Sequence, residues 1–157
     1  MIFKRRKAVS PVIATVILVA VAITVAVGVS YWMGGISAQY TSFEKVEIQT
    51  AVCTWNGTAW EIEIKLKNSG TATSTLNSVF INEKEVDTYN VTSAGGGEAN
   101  TNMTEATTIV SGASAVVYIY IDGPPAPQWE SVTAGTTVNI KIHSAGGMDY
   151  IKLIELV

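Results

Sequence analysis

The sequence predicts an α+β protein, with one long N-terminal hydrophobic α-helix followed by an all-β head of the immunoglobulin-like sandwich type. Three observations predict it. Across positions 8–43 no residue is charged, a run of 36 that is longer than a buried core helix needs and long enough to span a bilayer. Beyond that run, short segments alternate apolar and polar residues with a period of two, the signature of half-buried strands. The 157 residues leave room for one domain and a tail, which excludes large multidomain enzymes.

The elements follow in order. Residues 1–7 form a leader carrying Lys4, Arg5, Arg6 and Lys7. Positive charge ahead of an apolar segment stays on the cytoplasmic side, so the body is expected outside. The helix is expected over residues 9–36. At about 1.5 Å per residue these 28 residues make about 42 Å, more than the roughly 30 Å of a hydrocarbon core. Ser10 can serve as N-cap, Pro11 suits the first helical position, and Gly34-Gly35 offers an end. Val9, Val12, Ile13, Val16, Ile17 and their neighbours are β-branched, a choice that weakens a helix in water. In lipid or a dry bundle only a helix satisfies every backbone group of a single pass, so environment overrides propensity. The segment is apolar all round, hence meant to be covered on every side by lipid or by copies of itself. Ala22, Ala26, Ser30 and Gly34 recur at four-residue spacing, a smooth ridge along which another helix could approach.

A linker over 37–43 leads to the head, 44–157. Trp60, Ile62, Ile64 and Leu66 alternate with Glu61, Glu63, Lys65 and Lys67, and Val138, Ile140 and Ile142 alternate with Asn139, Lys141 and His143. Val46 and Ile48 begin another strand, and Asn56-Gly57 between Trp55 and Trp60 marks a hairpin. Residues 79–81 and 116–121 are apolar on both faces, as central strands are. Residues 150–157 change phase near Leu153-Ile154, which predicts a bulge or an end-of-sheet strand. Six or seven short antiparallel strands suggest the immunoglobulin-like sandwich. Residues 92–108, with Gly95-Gly96-Gly97, read as a polar surface loop, and Gly123-Pro124-Pro125-Ala126-Pro127 as a stiff connector.

The chemistry-bearing residues point away from catalysis. Past Phe43 there are six basic against thirteen acidic residues, an acidic body that argues against nucleic acid as a partner. Glu61 and Glu63 lie about 6.6 Å apart by strand geometry, a spacing seen between inverting-glycosidase carboxylates, but Lys65 and Lys67 continue the face and make it a solvated charged stripe. His143 has no nucleophile or paired ligands beside it, and the triple Gly lacks phosphate-loop spacing. The single Cys53 excludes an internal disulfide and a Cys-based zinc cluster, and reads as a small buried hydrophobe. No enzyme, no cofactor and no metal site is expected. Three Asn-x-Thr sequons, at Asn56, Asn90 and Asn102, fall in expected turns and are candidate N-glycosylation sites.

Lys4-Arg5-Arg6-Lys7-Ala8 followed by Val9-Ser10-Pro11-Val12-Ile13-Ala14 resembles the class III signal peptide of archaeal type IV pilins. In that family a membrane peptidase cuts ahead of the apolar segment and leaves the helix on the mature subunit. The resemblance implies a cut between Ala8 and Val9, with Lys7 in the recognised leader. An ordinary secretory cut after Ala20-Val21-Ala22 would leave an apolar N-terminus. In the head, residues 66–73 leading to 79–82 are similar to strand-turn-strand stretches of archaeal pilins and archaellins. Ala8 and Ile13 depart from bacterial prepilins, which carry Gly before the cut and Glu at the fifth mature position. The Gly around the cut and the Gly-Ile pair after it that mark archaellins are also missing. The resemblance implies a filament subunit at the cell surface that polymerises with copies of itself through the helix. Its other partners would be a prepilin peptidase, the pilus assembly machinery and, before assembly, the membrane. An archaellum subunit, an uncut single-pass anchor bearing a binding module and a secreted β-domain are the alternatives.

Overall fold

A computed structural model of the protein describes residues 10–93, 95–124, 129–130 and 132–157. The chain divides into two compact units after Thr41. The first is the helix α1, Pro11–Tyr40, whose 30 residues make about 45 Å. Pro11 occupies the first turn, where its missing N–H costs nothing. Ser10 sits at the N-cap position with extended backbone, but its side chain makes no capping bond; its carbonyl accepts from the Ala14 N–H at 3.0 Å. Thr15 and Thr24 return their hydroxyls to the carbonyls of Val12 and Ala20, each at 2.8 Å, so neither leaves a donor without a partner on an apolar surface.

The helix runs four residues past the expected end. Gly34-Gly35 remain helical, because a glycine stops a helix only when it takes up the left-handed conformation, and no proline follows to break the next turn. The end comes at Thr41, whose N–H and hydroxyl both donate to the Ser37 carbonyl. The expected linker over 37–43 is thus mostly helix.

The second unit, Ser42–Val157, is a sandwich of two antiparallel sheets. Its strands are β1 (Val46–Trp55), β2 (Ala59–Asn68), β3 (Ser74–Ile81), β4 (Lys84–Glu85), β5 (Ala99–Thr101), β6 (Thr107–Ile109), β7 (Ser114–Asp122), β8 (Thr137–Ser144) and β9 (Asp149–Glu155). One sheet has the order β1-β2-β7-β5 and the other β4-β3-β8-β9, with β6 pairing the start of β3. With β1, β2, β3, β5, β7, β8 and β9 taken as A, B, C, D, E, F and G, these are the ABED and CFG sheets of the immunoglobulin fold. The inner faces supply one core: Ile62, Ile64 and Leu66 of β2, Val79 and Ile81 of β3, Val117, Ile119 and Ile121 of β7, and Val138, Ile140 and Ile142 of β8 are all buried. The aliphatic packing between β2 and β8 stands where many immunoglobulin domains place a disulfide.

The hairpin at Asn56-Gly57 sets the register of the first sheet, with Trp55 opposite Trp60 and Cys53 opposite Ile62. Gln49 is the extra residue of a bulge in β1, and Asn77 of one in β3. Asn82 and Glu83 both have positive φ and form the tight turn between β3 and β4. The last strand, β9, pairs with β8 in unbroken register and ends its sheet, so the phase change near Leu153 is an edge and not a bulge.

Residues 92–108 correct the expectation of a surface loop. They contain β5, which pairs with the end of β7 and is wholly buried, and Met103, which joins the core. The backbone takes up two of the polar side chains there: Thr101 donates its hydroxyl to the Tyr118 carbonyl at 2.9 Å, and Asn102 Oδ1 accepts from the Tyr118 N–H at 2.7 Å, while the Oδ1 of buried Asn100 has no partner. The proline connector is described only at Gly123 and Pro124, since Pro125, Ala126 and Pro127 lie outside the described residues.

Candidate functional site

The feature that sets this chain apart is the surface of α1. Its large apolar side chains point outward around the whole circumference, from Val12 and Leu18, each 70% exposed, to Val29 and Met33. A helix with no polar side has no direction in which water is its proper neighbour. Pro11–Ser37 is long and apolar enough to cross a membrane.

Ala22, Ala26, Ser30 and Gly34 are all exposed on this helix. Each four-residue step turns the row by about 40°, so the ridge climbs about 18 Å while winding by about 120°. A helix seated along it therefore crosses at an angle and does not lie parallel. A Cβ added at Gly28, Gly34 or Gly35 would touch nothing in this chain. Nothing within this chain demands a small residue at these positions. Lys7, Ala8 and Val9, the residues of the expected cut, lie outside the described residues.

The head grips the chain just after the helix. Phe43 N–H donates to Thr71 Oγ1, while the Phe43 carbonyl accepts from the Thr71 and Ala72 N–H groups and the Lys45 carbonyl from those of Ser69 and Gly70. Gly70 is required: a Cβ on it would lie 2.5 Å from the Phe43 carbonyl oxygen and 2.6 Å from the Lys45 nitrogen. Glu44 Oε2 accepts from Ser74 and Ser144 hydroxyls at 3.3 Å each, and its carboxylate fills the space that a side chain at Gly146 would need. Residues 43–45 are therefore part of the head, and sequence reasoning had no signal for the grip beyond Gly70 itself.

At the other end of β1 the Trp55 and Trp60 rings meet at 4.9 Å and 52°, with Gly123 pressed against both. Together with Pro124, Ala134 and Val157 they line a shallow, mostly apolar depression. The hairpin register already paired the two tryptophans in the sequence; that Gly123 and the C-terminus close on them was not legible.

The sequons differ in their surroundings. Asn56 is exposed, and its Oδ1 accepts from the Thr58 N–H, the Thr58 hydroxyl and the Ala59 N–H, leaving Nδ2 outside all three bonds. Asn90 is exposed in a left-handed turn. Asn102 is half-buried, and its Oδ1 accepts from the Tyr118 N–H. The first two are exposed; the third is half-buried, and the bond at its Oδ1, like those of Asn56, does not engage Nδ2.

The other candidates are structural. Glu63 pairs with Lys65 at 3.0 Å and reaches the Tyr118 hydroxyl at 3.4 Å, on a face where Tyr118 and Tyr120 stack. Burial, assisted by the Glu61 charge, pushes the Tyr120 phenol up. His143 Nδ1 meets Asp149 at 2.5 Å on the outer face of β8 and β9. Among the described residues no group of three or more His, Cys, Asp or Glu is placed to hold a metal. Cys53 is free and buried, and burial raises its thiol pKa. Tyr89, which sequence reasoning passed over, accepts from the Val79 N–H at 3.0 Å and donates to Glu85 at 2.8 Å. Burial pushes its pKa up to about 12, with the Glu85 charge acting in the same direction.

No protein-family model matches the chain, and no curated protein matches it.

Proposed function

We propose that this chain is the structural subunit of an extracellular filament of the archaeal type IV pilus kind, polymerising through α1 and carrying its sandwich outward for surface adhesion. The observation that carries the reading is a helix exposed and apolar on every side, attached to a head that has its own closed core. A helix of this size leaves on the order of 1,000 Å2 of apolar surface in need of cover, worth on the order of 25 kcal/mol at about 25 cal/mol per Å2. Lipid covers it before assembly. Removal of the residues ahead of Val9 takes away four positive charges and with them the cytoplasmic anchor, so an assembly machine can draw the subunit out. Once out of lipid, the helix finds cover among identical helices, which form a rod inside a sleeve of heads. Repetition of one head-to-tail contact gives an open helical polymer. Glycans at Asn56 and Asn90 would face the medium.

The N-terminus of the surface-exposed protein tests this. A mature chain that begins at Val9 and is recovered from filaments supports it. Lys7→Glu or Ala8→Leu should leave unassembled precursor in the membrane, and filaments of normal length from either variant would refute the assigned cut. Ala26→Trp should hold neighbouring helices apart and thin or abolish filaments, whereas unchanged fibres in electron micrographs would remove the ridge from the account.

A second reading is an uncut single-pass anchor displaying the sandwich as a binding module, which the membrane-crossing length of Pro11–Ser37 also supports. It requires a surface protein that still begins at Met1. A start at Ile23 would instead mark a secreted domain.

A further inference from the structure

The composition of α1 changes abruptly at one point. From Val12 to Ser30 it contains no aromatic, amide or charged side chain, and the hydroxyls of Thr15 and Thr24 are bonded to their own helix. Tyr31 and Trp32 follow at once, 88% and 66% exposed, and Ser37, Gln39, Tyr40 and Thr41 come after them. Those 19 aliphatic and small positions measure about 28 Å along the helix axis, close to the roughly 30 Å of a hydrocarbon core. Tyrosine and tryptophan favour the headgroup boundary, where the ring stays in apolar surroundings and the O–H or N–H reaches water.

We infer that in the membrane-inserted precursor α1 has a fixed depth: residues 12–30 occupy the hydrocarbon, Tyr31 and Trp32 lie at the outer headgroup boundary, and residues 33–40 stand above it as a helical pedestal of about 12 Å. The occupant of the stalk surface at this stage is a lipid bilayer, and the match in length is what identifies it. The inference rests on the reading of the chain as a membrane protein before assembly. It divides the small-residue row. Ala22, Ala26 and Ser30 lie in lipid, while Gly34, beside Gly35, lies in the pedestal, where each glycine costs about 1 kcal/mol of helix stability relative to alanine in water. The pedestal is thus the least stable stretch of the stalk until other helices cover it.

Depth-dependent quenching tests the register. The full-length precursor is reconstituted into phosphatidylcholine–phosphatidylglycerol vesicles whose acyl chains are brominated either near the headgroup or near the bilayer centre. Trp55, Trp60 and Trp129 belong to the head, so lipid-borne bromine should act on Trp32, and Trp32→Phe should abolish the quenching. Shallow bromine is expected to quench Trp32 severalfold more than deep bromine. The double variant Val21→Trp/Trp32→Phe, with its indole about 16 Å further along the axis, should reverse that preference. Equal quenching of both proteins by deep bromine would overturn the register and leave the membrane reading standing. Quenching of neither protein by either lipid would show that the helix does not insert, and both the register and the reading it rests on would fall.

Discussion

Valine and isoleucine fill both the stalk and the head, yet the two regions use them in opposite ways. In α1, Val16, Val19, Ile23 and Val27 are each more than half exposed. In the head, Ile62, Ile64, Val79, Ile119, Val138 and Ile142 have no exposure at all. The head closes because two sheets offer each other an apolar face and leave the charged face to water. A lone helix apolar all round has no second layer to close against, and the difference between the regions is one of partners, not of residue type. The head buries an apolar core within one chain; the stalk leaves its own apolar residues exposed.

The contrast is broken most severely by cutting into the head. Ile62→Ala or Ile140→Ala should cost the head about 2–5 kcal/mol each, because a cavity is left between packed sheets. Urea titration followed by tryptophan fluorescence in detergent reads this directly. In the same assay Ile23→Ala, which removes an equally large side chain from the stalk, should leave the midpoint unchanged. A comparable loss from Ile23→Ala would mean that the head leans on the stalk for its stability.

Gly70→Ala comes next. Its Cβ would press on the Phe43 carbonyl and the Lys45 nitrogen, both backbone atoms that cannot swing aside. A loss of about 1–3 kcal/mol is expected, as for other overpacked sites. Protease sensitivity should rise around residues 41–45, since the substitution loosens the place where the head holds the chain. An unchanged cleavage pattern would show that the grip at Phe43 contributes little.

How much of this was legible in the sequence follows from how local each signal is. The stalk and the alternating strands β2 and β8 were readable because each carries its pattern within a dozen residues. The Asn56-Gly57 hairpin was readable for the same reason, and it carried the Trp55–Trp60 pairing with it. Strand β5 was not, because Ala99, Asn100 and Thr101 look like loop residues until β7 supplies their bonds and the core receives Met103. The end of α1 was misplaced because a glycine pair permits a stop without compelling one. The Phe43–Gly70 contact joins positions 27 residues apart, beyond the reach of any periodicity. Of the candidate residues, the exposure of Asn56 and Asn90 and of Ala22, Ala26, Ser30 and Gly34 was readable, but the bond between Asn102 Oδ1 and the Tyr118 N–H was not.

Tyr89→Phe separates packing from hydrogen bonding inside the head. The ring stays and the hydroxyl goes, so the Val79 N–H loses its acceptor and Glu85 its donor, for a cost of about 1 kcal/mol. The variant also has a signature in pH. A phenol ordinarily ionises near pH 10, and in the folded head this one holds its proton to about 12. Its contribution is complete below pH 10 and declines as pH rises from there towards 12, because the unfolded chain gives up its proton first. Lys141, whose ammonium is held protonated by the bond to Glu83, has a raised pKa and contributes with the same sign. The difference between wild type and Tyr89→Phe isolates the phenol. It should shrink with alkalinity, and a constant difference would detach Tyr89 from that limb.

The smallest expected effect comes from a single strand that holds both behaviours. On β9, Leu153 is 65% exposed and its neighbour Ile154 only 8%. Leu153 lies opposite Asn139 on the outer face, and Ile154 opposite Val138 on the inner one. Leu153→Lys should therefore change the head's stability by no more than about 0.5 kcal/mol, like other surface substitutions away from special features. Ile154→Lys buries a charge beside Val138 with no partner and should unfold the head or force the end of β9 off the sheet. Adjacent positions on an edge strand have the same propensity and the same backbone pairing, so any gap between the two variants measures facing alone. If both lysines proved equally tolerable, β9 would be held by its backbone bonds and not by the core, and the closure of the head on that side would have to be credited to Leu156 and β8 instead.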